Sequence, residues 1–204
     1  MNWRPEFPHV GRAAAAVAVG MMLVMVLSLA IVGVVIGGGS VLFGAGQSCT
    51  GGTSASANGA AAGQPTASAA GRTTIPADYL HAYQQAGKKY GVPWVVLAGI
   101  GEVESNQGRT SLPGVHSGAN AFGAAGPMQI GVGGASGNNW GGAPVHPAGE
   151  QVAGVATDGN GDGIASVYEP ADAIAGAAKY LVAHGVQNNV SGAIFAYNHL
   201  TSYV

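Results

Sequence analysis

PWVVLAGIGEVES, residues 93–105, is apolar on almost every side until its last four positions. Pro93 suits the entry to a helix, because it lacks the N–H that a first turn leaves unpaired. A helix that is apolar all round is a buried one. The sequence therefore predicts a central, buried helix from Pro93 to about Glu104. Glu104 lies three, four and seven residues beyond Gly101, Ile100 and Leu97, positions that share one helical face. A carboxylate thus stands at the end of an apolar stripe. Desolvation raises a carboxyl's pKa and keeps its proton near neutral pH, as a general acid for glycosidic cleavage requires. Glu102 points about 200° away on the same helix and cannot share that site. Spacing alone leaves Glu104 evenly balanced between such a site and an exposed helix end.

Helical signals flank this segment on both sides. Residues 75–90 place Tyr79, Leu80, Tyr83 and Ala86 on one side, with Pro76 and Asp78 at the start and Gly91 as the stop. Pro170 to His184 reads as a third helix stopped by Gly185, and Gly192 to about Asn198 as a fourth, capped by Ser191. Residues 110–157, rich in Gly, Asn and Pro, read as long loops with short helical turns. No stretch alternates apolar and polar residues convincingly, so strands are minor. The fold class expected for residues 73–204 is mostly α with long loops.

Upstream the chain changes character. Residues 1–12 are short and polar, and residues 13–36 run without one charge. About 20 such residues span a bilayer core, which predicts a transmembrane helix. A cleaved signal peptide, whose apolar region is normally about 7–15 residues, is the rival. Arg4 and Arg12 precede the segment and no cation follows until Arg72, so the basic flank is expected in the cytoplasm and the rest outside. Residues 37–72 are mostly Gly, Ala, Ser and Thr and predict a flexible tether, spanning roughly 30 Å. The single cysteine, Cys49, excludes an intrachain disulfide, and the residues before it lack the Leu of a lipobox. Charged residues make up only 8%, net charge is −2 and no Lys/Arg cluster occurs, which argues against a nucleic-acid partner.

Two further segments bear on Glu104. Glu104-Ser105 is followed by GAAGPMQI, residues 123–130, and then by AYNH, residues 196–199. In this order the three resemble the lytic transglycosylases of the lysozyme-like superfamily, over about residues 75–204. That family normally has Leu where Pro127 stands. The resemblance implies a lysozyme-like fold and cleavage of the β-1,4 bond between N-acetylmuramic acid and N-acetylglucosamine in peptidoglycan. It implies a single catalytic glutamate, Glu104, and a 1,6-anhydro product. It implies that Ser105, Met128, Gln129, Tyr197 and Asn198 line the sugar groove. Core packing for Tyr197 and gap-filling for Met128 are the ordinary alternatives.

DGNGDGIASVYE, residues 158–169, stands without any family: it fits D-x-[DN]-x-[DN]-G-x5-E, the EF-hand calcium loop. Asp158, Asn160, Asp162 and Glu169 would supply side-chain oxygens, Ile164 its carbonyl and Ser166 a water-mediated contact to a structural Ca²⁺. A helix should leave the loop at Pro170; no entering helix is evident. This loop placement resembles the membrane-bound lytic transglycosylase B branch. The six histidines form no zinc pattern such as H-E-x-x-H. The expected partners are peptidoglycan strands and, through residues 13–36, the membrane, with the protein acting as a monomer. A muramidase of the same fold and a non-catalytic wall-binding adaptor remain the competing functions.

Overall fold

A computed structural model describes residues 63–204. The segments expected to be a cytoplasmic N-terminus (1–12) and a membrane helix (13–36), Cys49, and most of the expected tether lie outside the described residues. Within them, no helix is long and apolar enough to cross a membrane.

The described residues are mostly α-helical. A short helix α1 (Ala69–Thr74) leads into α2 (Ala77–Tyr90) and α3 (Trp94–Ser105). A hairpin follows, β1 (Ala124–Ala125) with β2 (Ile130–Gly131), paired antiparallel as Ala124 with Gly131 and Ala125 with Ile130. A second ribbon joins β3 (Val145–Pro147) to β4 (Ile164–Ser166), with His146 opposite Ala165. The helices α4 (Pro170–Ala183) and α5 (Val190–Tyr197) and a 3₁₀ turn (Thr201–Tyr203) complete the order.

The sequence signals for α2 act as expected. Asp78 sits in its first turn, Lys88 and Lys89 in its last, and Gly91 ends it in the left-handed conformation at φ 67°. Tyr79, Ala82, Tyr83 and Ala86 form its buried side.

The expectation of a central α3 is corrected. The central pair is α2 against α4, and α4 carries eight buried residues, Asp172 to Ala178 and Leu181. Helix α3 packs on α2 through Trp94, Leu97, Ala98, Ile100 and Gly101, but Val95 and Val103 are 46% and 65% exposed. Apolarity all round allows burial on any side; it does not supply the neighbours. What draws α3 against α2 is close approach. A Cβ on Gly101 would stand 1.9 Å from the Tyr83 hydroxyl, and one on Gly87 would stand 2.9 Å from Trp94 Cβ.

Two boundaries also differ from expectation. Gln64, upstream of the expected start at Thr73, already packs against the domain. The Gln64 amide donates to Gly87 O and Val92 O, both at 3.1 Å, and accepts from Trp94 N at 3.0 Å. Trp94 Nε1 donates to Pro65 O at 2.6 Å, and Ala67 is buried. The small residues here carry no periodicity, but their backbone and one amide meet exposed donors and acceptors at the α2–α3 corner. The last helix is capped by Asn189, whose Oδ1 accepts from Gly192 N at 2.9 Å. Ser191 therefore lies inside α5, and Asn198 lies just beyond it in extended conformation.

Candidate functional site

Three elements meet at Glu104. The first is the end of α3, which closes tightly: Asn106 N bonds Glu102 O and Gln107 N bonds Gly101 O, both at 2.9 Å. Asn106 and Gln107 adopt left-handed backbone at φ 50° and 56°. Gln107 is buried and pays back that strain with side-chain bonds: it accepts from Tyr83 Oη and donates to Ala98 O at 3.1 Å and Glu102 Oε2 at 3.2 Å. Glu102 itself is exposed, 3.7 Å from Arg109, a surface ion pair on the face away from Glu104.

The second element is the tip of the β1–β2 hairpin, Gly126 to Gln129. Gly126 has φ 75°, and a Cβ there would stand 1.8 Å from Val167 O, so only glycine fits. Ser105 Oγ donates to Pro127 O at 2.7 Å and accepts from Gly108 N at 2.8 Å. The hydroxyl next to the glutamate thereby fastens the helix end to the hairpin. The third element is the C-terminal region. Tyr197 Oη donates to Met128 O at 2.7 Å, tying α5 to the same tip. Tyr203 Oη donates to Glu104 Oε1 at 2.8 Å, and Asn198 lies close enough to the same carboxyl to favour its ionised form.

Of the expected groove residues, Glu104, Gln129, Tyr197 and Asn198 are partly open to solvent, whereas Ser105 and Met128 are buried. The last two support the site from beneath: Ser105 by its hydroxyl, Met128 by its side chain in the core and its carbonyl on Tyr197. Their side chains do not line a groove, because helix and hairpin pack over them. Gln129 has φ 47°, and its amide is already engaged, accepting from Asn120 Nδ2 at 2.9 Å and donating to Gly126 O at 2.8 Å. One amide hydrogen remains for a ligand. Sequence reading passed over Tyr203 and Asn120. Asn120 also accepts from Phe122 N and Ala124 N, shaping the entry to the hairpin. Asn120 acts locally, as an Asx turn whose oxygen meets the amide two residues on, whereas Tyr203 has no local signature, since it meets Glu104 across 99 positions.

Burial pushes the Glu104 carboxyl up to about 7 from 4.5, against the hydrogen bonds from Tyr203 and Asn198, which favour the ionised form. Desolvation outweighs both bonds. Among the described residues no other carboxylate bears on its ionisation. Burial chiefly, and then the nearby Glu104, hold the Tyr197 and Tyr203 hydroxyls far above their usual range, so both stay neutral donors. The arrangement holds a protonated carboxyl near neutral pH, with one oxygen fixed by a phenol.

The 158–169 loop is tied by its own side chains. Asp158 accepts from Gly161 N at 2.5 Å, Asp162 N at 3.2 Å and Gly163 N at 2.9 Å, and these bonds, led by that from Gly163, hold its carboxyl below the usual range. Asp162 Oδ1 accepts from Ile164 N at 2.8 Å. Asn160 Nδ2 lies between two carboxylates, donating to Asp162 Oδ2 at 3.1 Å and Glu169 Oε2 at 2.9 Å. Among the described residues no three acidic or imidazole side chains form a ready cage. Asn160 Oδ1 accepts from Asp162 N at 3.0 Å, which orients the amide with its nitrogen toward the two carboxylates. Burial first, and then Asp172 and Asp162, push the Glu169 carboxyl upward.

Asp172, in the first turn of α4, is fully buried and braces the loop at both ends: it accepts from Gly159 N at 2.7 Å and Ser166 N at 2.8 Å. Ser166 is buried on β4, with β3 alongside in place of an entering helix. His146 is buried and paired with Glu150 at 3.1 Å, and His116 meets Thr110 O at 3.1 Å. No protein-family model, curated protein or solved structure matches this chain.

Proposed function

We propose that residues 63–204 form a lysozyme-like lytic transglycosylase domain that cleaves the β-1,4 bond between N-acetylmuramic acid and N-acetylglucosamine. One observation carries this reading: a lone carboxyl, Glu104, is held protonated near neutral pH by burial while Tyr203 Oη donates to it at 2.8 Å. The Glu-Ser, Met-Gln and Ala-Tyr-Asn segments that resemble the family meet around it.

In this mechanism Glu104 gives its proton to the leaving oxygen of N-acetylglucosamine as the C1–O bond of muramic acid breaks. The ionised Glu104, stabilised by Tyr203 and Asn198, then takes the proton of the muramic C6 hydroxyl as that oxygen bonds to C1. The proton inventory closes and no water is consumed. A single carboxyl suffices, whereas the retaining glycosidase scheme needs a second one about 5 Å away. No such partner bears on Glu104 among the described residues.

The remaining features fit the same proposal. Residues 13–36 anchor a monomer in the cell membrane, and the tether lets the domain reach peptidoglycan outside the cell. Asp158, Asn160, Asp162, Ile164, Ser166 and Glu169 would hold a structural Ca²⁺, whose charge would relieve the repulsion among the loop's acids.

The test is mass spectrometry of peptidoglycan digested by the wild-type protein and by Glu104→Gln. The proposal expects anhydro-muropeptides from the wild type and none from the variant. Reducing muropeptides, each heavier by one water, would assign a muramidase. An unchanged wall with a folded protein would assign a binding adaptor.

A further inference from the structure

The turn that ends α3 is built unlike the stop of α2, where Gly91 takes the left-handed conformation at no steric cost. After α3 three successive residues are left-handed: Asn106 at φ 50°, Gln107 at 56° and Gly108 at 72°. Asparagine and glycine tolerate that region, whereas glutamine does not favour it. Gln107 is also 3% exposed. A long polar side chain has thus been placed on a strained backbone and taken out of water. Such strain persists where the side chain's own bonds hold the structure around it.

Those bonds converge on the last two turns of α3. Gln107 Oε1 accepts from Tyr83 Oη of α2, and Nε2 donates to Ala98 O at 3.1 Å and to Glu102 Oε2 at 3.2 Å. Both amide hydrogens and the amide oxygen are used. The Gln107 backbone N–H bonds Gly101 O at 2.9 Å, closing a ring of chain, residues 101–107, that contains Glu104. Gly101 makes room for the Tyr83 hydroxyl, since a Cβ there would stand 1.9 Å from it, and Gly108 does the same for the Tyr79 hydroxyl, at 1.8 Å. Ser105 Oγ, on the residue after Glu104, donates to Pro127 O at 2.7 Å. The backbone carrying Glu104 is therefore pinned one residue on to the hairpin and three residues on to α2. What remains free is rotation of the Glu104 side chain, and Tyr203 Oη holds that.

We propose that Gln107, gripped by Tyr83, is a positioning residue for Glu104: it fixes the end of α3 so that the carboxyl keeps its place against Tyr203. Gln107 touches no substrate and moves no proton. That it thereby serves catalysis rests on the glycan-cleaving reading of Glu104; that it holds the carboxyl in place does not.

The test uses the full chain with Gln107→Met, which is similar in length but makes none of the bonds, with Tyr83→Phe, and with both changes together. Near-UV circular dichroism and melting temperature report the fold. A carbon NMR titration of the Glu104 carboxyl, identified by the signal missing from Glu104→Gln, reports the placement of that group. Cleavage of soluble glycan strands gives kcat and KM. Each single change leaves a buried polar partner unpaired and should lower the melting temperature; the double change leaves neither and should recover much of the loss. In the double variant Glu104 should nevertheless titrate about one pH unit below its wild-type value, because a loosened carboxyl meets more water. Its kcat should fall about tenfold or more with KM little changed. Should Gln107→Met fail to fold, Tyr83→Phe alone is read in the same way. A wild-type titration of Glu104 in the folded variants would overturn the positioning role and leave Gln107 a residue of the fold alone. A lowered titration in variants of a protein that leaves glycan uncut would keep that role and overturn the glycan-cleaving reading instead.

Discussion

Glu104→Gln should stabilise the domain in alkali and leave it unchanged in acid. The carboxyl titrates near 4.5 when unfolded and at about 7 when folded, because burial disfavours its charge. Between those values the folded protein holds a proton that the unfolded chain has released. Stability therefore falls as pH rises through that window, and the loss is complete above about 7. At about 1.4 kcal/mol per unit, the displacement from 4.5 to about 7 corresponds to roughly 3 kcal/mol. Solvent at the open edge of the site screens part of this, leaving about 2 kcal/mol. Glutamine matches the carboxyl in shape, keeps an acceptor for Tyr203 and carries no charge, so the variant escapes this loss. Urea unfolding at pH 4 should give similar free energies for the two proteins, and at pH 8 the variant should be more stable by about 2 kcal/mol. Every other titrating group cancels in the difference. A gap between the two proteins that is the same at pH 4 and pH 8 would refute the claim that Glu104 is an ionisable group held protonated by burial.

Other consequences follow from the same geometry. Tyr203→Phe removes a bond to the ionised form of Glu104, so the alkaline limb of the pH–activity profile should move upward by about one unit; an unmoved limb would show that the phenol does not bind the carboxyl in the working enzyme. A chain starting at Thr73 loses the Gln64 bonds and leaves Trp94 Nε1 without its carbonyl, so it should be less stable by about 3 kcal/mol than one starting at Gly63; equal urea midpoints would return the boundary to Thr73. Chelation should lower the melting temperature and Ca²⁺ should restore it, with Mg²⁺ less effective because it resists a large flexible oxygen cage. If Asp158→Ala with Glu169→Gln melts like the chelated wild type and the wild type ignores the chelator, the 158–169 loop is only a turn.

The sequence by itself determined what depends on near neighbours. Asp78, the paired lysines and Gly91 mark the ends of α2, and Pro170 marks the start of α4, because dipole and capping effects act within one turn. Glu104 and Glu102 were separable on helical geometry alone, and they do face apart, one to Tyr203 and the other to Arg109. The Asp/Asn/Gly order of the 158–169 loop was legible because each of its ties spans only a few residues. The tertiary structure decided whatever depends on distant partners. It chose α2 and α4 as the central pair and left Val95 and Val103 in water, because an all-round apolar helix carries no information on which side will be covered. It turned Ser105 and Met128 from ligand-facing residues into supports, since burial depends on what packs above them. It made Asp172 the brace of the loop and brought Tyr203 to Glu104 from 99 positions away. Such contacts have no period and no spacing rule; they exist only once the hairpin tip and the C-terminal region have closed over the end of α3.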